Sequence, residues 1–298
     1  MDDQLLNHLY HRLCAPGKVQ RPAHCHYSDS LIVLIYFLGV LRERSPHWAH
    51  DKGHWPLWMR RLKVPSYSQL AKRLNTRSVQ QLIEQLNREF RGRLPSSLEK
   101  FCDGKPMVVG GFSRDPDTAC GRLPGDGWGR GYKLHVIVDA ACGAVDAFAV
   151  TALDAGEPTV TRRLVASAID LHGVLLRGDS NYDSNPLYAA VAAAGGRLIA
   201  PRKKPHTGLG HQPHHPDRLR AIAELEHGVG GGRESTRAHK RHRIRVEQSL
   251  GHLTNLPFGL APLPNFVRRL RRVARWVLAK ITLYHLALIL RQTQKLAA

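Results

Sequence analysis

The chain has 298 residues, 43% of them hydrophobic, and its 44 Lys and Arg outnumber 24 Asp and Glu, for a formal net charge of +20. That composition excludes a disordered polymer and suits one large cored domain or two small ones. The positive surplus, with a pI near 10.3, points to phosphate backbones or anionic surfaces as partners, although an Arg-rich composition alone produces the same balance.

Residues 1–98 read as a helical region. The start, MDDQLLNHLYHRL, lacks the basic-then-apolar order of a secretory signal. An apolar helix over 31–44 follows, then a Trp-rich stretch, then two short helices whose apolar positions Leu70, Leu74, Val79, Leu82, Ile83 and Leu86 break near Asn75-Thr76-Arg77. The first half of that pair resembles the opening of a helix-turn-helix, which makes DNA-end binding a candidate role for this region.

The character changes at Phe101. FCDGKPMVV, GYKLHVIVDA and AVDAFAVTAL read as three strands, with a loop rich in Gly, Pro and Asp between the first two. A helix over 157–173 opens on Glu-Pro and closes on Gly173. VLLRGD is a short apolar strand ending on Asp179, an Ala-rich helix spans 186–194, and RLIAPRKK is a further strand. The order βββαβαβ predicts an α/β fold, a mixed sheet flanked by helices. After a Pro/His/Gly loop come helices over 217–227 and about 238–255. The last helix, 265–291, carries a core face of Val267, Leu270, Val273, Val277, Ile281, Tyr284 and Leu288. Arg268, Arg272 and Arg275 recur on the opposite face and are candidate DNA-phosphate contacts.

Five cysteines without a CxxC pair fit reduced thiols in a cytoplasmic protein, and the His24-Cys25-His26 and His211/His214/His215 clusters lack a Cys pair at zinc spacing. The longest apolar stretches, 31–41 and 281–290, fall short of the ~20 residues that span a bilayer, so no membrane partner is expected.

Three carboxylates carry the chemistry. Asp103 and Asp179 sit on apolar strand segments, where a charge must be paired or bound to a metal. Glu247 lies on a basic helix, where its face also holds Lys240, Arg243 and Thr254. Strand-end carboxylates that meet would repel and take up a proton unless a hard cation intervenes, and magnesium accepts carboxylates, waters and phosphate oxygens together. Two such ions ~3.5–4 Å apart can activate an attacking oxygen and stabilise a leaving one. Arg243 and Lys240 are candidate DNA-binding residues one and two turns before Glu247. Taken alone, Glu247 with Arg243 also fits a surface ion pair on a solvated helix.

With these residues in view, DGKPMVVGGFSRDPD, GRGYKLHVIVDA, LLRGDSNYDSNPLY and RHRIRVEQSLGHLTNLPFGLAPLP together resemble the catalytic domain of DDE-type insertion-sequence transposases of the bacterial four/five-type group. The resemblance covers most of the chain after residue 95. It implies a ribonuclease H-like catalytic domain over 99–298 after the helical region 1–98, with Asp103, Asp179 and Glu247 as catalytic metal ligands. It further implies Mg2+ or Mn2+, two ions expected, and DNA as partner, both transposon ends and target. A homodimer on paired ends and action at the bacterial nucleoid are implied as well. Lys240 stands where many relatives carry Tyr, and Thr254 where they carry Lys. The short segment before the Glu helix leaves no room for a large β insertion. A catalytically decayed or co-opted DNA-binding protein, or a nuclease on the same fold, would share the basic faces and part of this pattern.

Overall fold

The strand pattern from residue 99 onward folds into one six-stranded sheet: β1 (Glu99–Val108), β2 (Ala119–Arg122), β3 (Trp128–Asp139), β4 (Val145–Ala152), β5 (Leu175–Arg177) and β6 (Arg197–Ile199). The structure is a computed structural model that describes residues 2–14, 26–110, 113–205, 207–227, 237, 239, 244, 247, 248, 251, 253, 259, 260 and 263–297. The described chain divides into a helical unit, Met1–Leu94 with Leu253–Ala298, and a sheet unit, Pro95–His252.

In the sheet unit, β1 and β3 pair antiparallel from Lys100↔Asp139 to Val108↔Gly131. The outer edge of β3 is shared, with β2 along Trp128–Gly131 and β4 from Tyr132 onward. β2 was absent from the expected elements: ACGR is too short and too Gly-rich to show a period of two, and it forms because β3 offers it an open edge. Gly131 is required where these strands cross, since a Cβ there would lie 2.3 Å from the Met107 carbonyl oxygen. The chain then passes through α6 (Glu157–Ser167) to β5, parallel to β1, and through α7 (Asn185–Ala193) to β6, parallel to β5. A meander followed by two helical crossovers is the ribonuclease H-like arrangement of a mixed sheet flanked by helices.

α6, α7 and α8 (Pro216–His227) bury an apolar cluster against one face of this sheet, built from Cys102, Ile137, Leu164, Leu176, Tyr182, Leu187, Tyr188, Val191, Leu198 and Leu225. At the opposite end of β1 a polar knot is buried beside it. Lys100 Nζ donates to Asp146 at 2.6 Å and to Asp139 at 3.4 Å. Asp139 also accepts from the backbone amides of Ser97, Ala141 and Cys142. Burial alone would raise the Asp139 pKa, but the Ser97, Cys142 and Ala141 amides and the Lys100 ammonium outweigh it and hold it below the ordinary value. Asp139 is thus a structural turn cap.

The helical unit contains α1 (Asp2–Leu13), α2 (Asp29–Leu41), α3 (Pro46–Ala49), α4 (Tyr67–Arg73), α5 (Arg77–Gly92) and the C-terminal α9 (Leu270–Ala297). α4 carries a capping box of Ser66 and Gln69. α9 packs against α5, α2 and α1. α9 is long and apolar enough over Leu270–Gln294 to cross a membrane, yet 78% of an 18-residue apolar segment within it is buried in the protein, as a core helix is. Lys280 in its middle is fully buried and donates to Glu43 at 2.8 Å. His285 contacts Asn87 at 3.0 Å, and burial pushes its pKa down to about 3, keeping it neutral.

Replacing Asp139 with Ala should cost about 3 kcal/mol in chemical denaturation, because three amides lose their acceptor and Lys100 keeps only Asp146 as a charged partner. Folding lowers the Asp139 pKa, so its contribution is complete above the ordinary carboxylate range and is lost as pH falls through the lowered folded value. The wild type should therefore lose more stability on acidification than the Asp139→Ala variant.

Candidate active site

β1 and β5 run parallel and in register through Phe101↔Arg177. Asp103 and Asp179 each lie two residues further on, so both arrive at the same end of neighbouring strands. Arg177 is locked by an ion pair to Glu99, and the Cys102 thiol donates to the Arg177 carbonyl at 3.4 Å, which fixes that end of the pair. One oxygen of Asp103 accepts from the Gly104 amide at 2.8 Å, and one oxygen of Asp179 accepts from the Asn181 amide at 2.8 Å. Asp179 is the N-cap of a 3-10 turn over Ser180–Tyr182, which turns the chain back under the sheet end.

Two buried groups register this concentration of negative charge. The Cys102 thiol is pushed far up by burial and then by Asp103, Asp179 and Glu157. The Tyr182 phenol is pushed far up by burial, with Cys102, Glu157, Asp103 and Asp179 adding to it. Both stay neutral. Lys105, two residues along β1, is pulled down by burial while Asp103 opposes that shift.

Glu157 is the carboxylate that sequence reasoning missed. It opens α6, where an acidic residue in the first turn needs no further role. In the structure its carboxylate occupies the space over Gly104, 2.6 Å from where a Cβ would stand, and it pairs with Lys133 at 3.4 Å. Strand alternation places Gly104 and Asp103 on opposite faces, so Glu157 approaches the strand from the helix-covered side.

Glu247 is helical and exposed. Among the described residues no three His, Cys, Asp or Glu side chains are grouped closely enough to hold a metal ion. The structure therefore brings Asp103 and Asp179 together and does not bring Glu247 into one coordination group with them. Arg243, Lys240 and Thr254 lie outside the described residues. On the Glu247 side of the unit, His239 is buried and its Nε2 lies 3.2 Å from the carbonyl oxygen of Gly178, the residue before Asp179.

Asp183, four residues past Asp179, does not cap α7 by its side chain as its place before Ser184 suggests. It holds Arg218 of α8 through two bonds of 2.6 and 2.8 Å and accepts from the Lys203 amide at 3.2 Å. This clamp shapes a basic recess with Arg202, Lys203 and Lys204 just beyond β6, and Lys203 and Lys204 are exposed. β5 and β6 are parallel, so this basic turn leaves the sheet at the end where Asp179 sits.

In the helical unit Arg272 is exposed, Arg268 is half-buried with Nη1 donating to the Pro264 and Val267 carbonyls, and Arg275 is buried. It is 8% exposed, donates to the Leu74 carbonyl and to Asn75 Oδ1, and lies 5.5 Å from the Tyr36 ring. The i, i+4, i+7 stripe failed at Arg275 because α4 ends against it and needs a donor for its last carbonyl.

The carboxylate pair on a ribonuclease H-like sheet is the scaffold of metal-dependent phosphodiester chemistry. A family model of the transposase DDE domain matches residues 102–286, more than half of the chain, and the protein belongs to that family. DNA cleavage and strand transfer, generally supported by divalent metal ions, is the chemistry of the family. In structure the chain is similar to a piggyBac transposase, seen by cryo-electron microscopy in a synaptic complex with hairpin DNA. The TM-score is 0.51 at 9% identity, over 97% of this chain and 71% of that one, a likeness of fold. No curated protein sequence matches the chain.

Gly104→Ala should destabilise the protein by about 1–3 kcal/mol, since the new methyl meets the Glu157 carboxylate. Glu157→Ala in the same chain should recover part of that loss in urea denaturation. Strictly additive losses would show that the two residues do not touch.

Proposed function

We propose that the protein cleaves insertion-sequence ends and joins them to target DNA at the end of the sheet marked by Asp103 and Asp179, with Glu247 as the third acidic residue. The observation that carries this reading is the in-register parallel pairing that delivers the first two carboxylates to one place. The donor set fits a hard divalent cation: both side chains offer carboxylate oxygens, and the buried groups nearest them are a neutral thiol and a neutral phenol. Magnesium or manganese, as one or two ions, would there supply charge neutralisation and a more acidic bound oxygen nucleophile.

The residues themselves supply position and charge. In cleavage, a water oxygen forms a bond to phosphorus, the P–O3′ bond breaks, and a 3′-hydroxyl and a 5′-phosphate result. In joining, that 3′-hydroxyl oxygen attacks a target phosphorus and displaces the target's own 3′-oxygen, so the number of phosphodiester bonds is unchanged. Lys203 and Lys204 carry exposed positive charge at the same end of the sheet and are placed to hold the phosphate backbone. Arg272 offers the same on the helical unit, the half-buried Arg268 is a further candidate there, and Arg243 and Lys240 precede Glu247 in the chain. DNA ends held in pairs call for two copies of the protein, and a homodimer is the simplest assembly.

Asp179→Asn should abolish joining of end DNA to a plasmid in the presence of Mg2+ while leaving gel-shift binding within about twofold. Joining by that variant would refute the site, and nicking by the wild type without joining would favour a nuclease. Replacing Lys203 and Lys204 together by Ala should weaken binding to all DNA sequences alike and flatten the slope of log affinity against log salt by up to about two. An unchanged slope would remove the basic turn from the DNA path.

A further inference from the structure

Within the helical unit, a cavity of about 220 Å3 lies between α2, α4 and the approach to α9. It is smaller than the roughly 300–1,000 Å3 of pockets that enclose drug-sized ligands, and suits one planar ring system. Its walls are aromatic. Phe266 and Trp276 meet edge to face, with centroids 5.5 Å apart, and Tyr67 stands at the rim, 45% exposed. Arg272 lines the same cavity and is exposed.

Arg275 forms another part of the wall. This buried guanidinium makes no ion pair among the described residues, and its Nε has no hydrogen-bond partner. The nearby Tyr36 phenol does not neutralise it: burial pushes that pKa up to about 12, although Arg275 draws it back. A purely apolar occupant would leave the unmet donor and the charge as they are. A ligand with a flat π face, an acceptor-bearing edge and an attached anion meets each feature of the cavity in turn.

We propose that this cavity receives a single unstacked DNA base, with Tyr67 and Phe266 against its ring, its acceptor edge toward Arg275 and its phosphate on Arg272. The proposal rests on the DNA-processing reading above and deepens it, assigning the helical unit a base-holding role apart from the carboxylate site. Aromatic stacking on a base tolerates any sequence, because every base has a π face, and it requires the base to leave the duplex stack.

The test uses the full chain and oligonucleotides carrying 5-iododeoxyuridine in three forms: single-stranded, bulged out of a duplex, and fully paired. Ultraviolet crosslinks from the first two should map by mass spectrometry to peptides holding Tyr67, Phe266 or Trp276, and the fully paired probe should give few there. Tyr67→Ala, an exposed change whose folding is checked by thermal melting, should weaken single-strand binding roughly fivefold or more and leave paired duplex binding unchanged. Arg272→Ala should weaken all three probes. Crosslinks confined to residues 95–252, or unchanged single-strand affinity in Tyr67→Ala, would overturn the base pocket while duplex binding still supports a DNA-processing protein. Failure of the wild type to bind any of the three probes would overturn both.

Discussion

The parallel pairing of β1 with β5 is the constraint on which the catalytic half of this protein depends. Two residues beyond the last paired positions, Phe101 and Arg177, each strand carries one carboxylate, Asp103 within β1 and Asp179 just past β5. The charge of the pair is felt by its neighbours, a thiol and a phenol that stay protonated. A local negative spot is thereby kept on a chain with a formal charge of +20. Such a spot attracts cations, while the rest of the surface attracts the polyanion those cations would help to cleave.

The sheet can hold that arrangement because polar groups at its other end are fully satisfied. Lys100, Asp139 and Asp146 tie the start of β1 to the turn between β3 and β4, with amides filling the remaining acceptor sites. A buried ion pair of this kind adds little net stability over apolar packing, but losing one partner is costly, so it favours one register over its neighbours. The helical unit uses the same device. Lys280 with Glu43, and Arg275 with the end of α4, set the rotation of a helix whose apolar surface is otherwise nearly continuous.

Much of this was legible in the sequence, for identifiable reasons. β1, β3 and β4 carry enough alternation and length to read as strands, and VLLRGD is apolar up to the residue that must leave the core. The order of elements therefore followed, and with it the pairing of the strand that carries Asp103 with the strand that precedes Asp179. Long-range partners were not legible. Helical spacing placed Arg275 on a solvent face because it cannot know that α4 ends there. Glu157 looked like a helix-opening acid, since its relation to Gly104 exists only once α6 crosses the sheet. β2 has too few residues for any period, and the partners of α9 could not be read because periodicity reveals a buried face and not what buries it.

The same limit bears on Glu247. Its spacing from Arg243 can be read, but its distance from the carboxylate pair depends on how its segment docks. His239 of the same segment places its ring 3.2 Å from the carbonyl beside Asp179. Glu247 is exposed, and Arg243 and Lys240 before it lie outside the described residues. A third carboxylate can join two others in one site only when their mutual repulsion is offset. The two strand residues are thus the preformed half of the proposed site, and the helix residue is the half whose position the bound charges would decide.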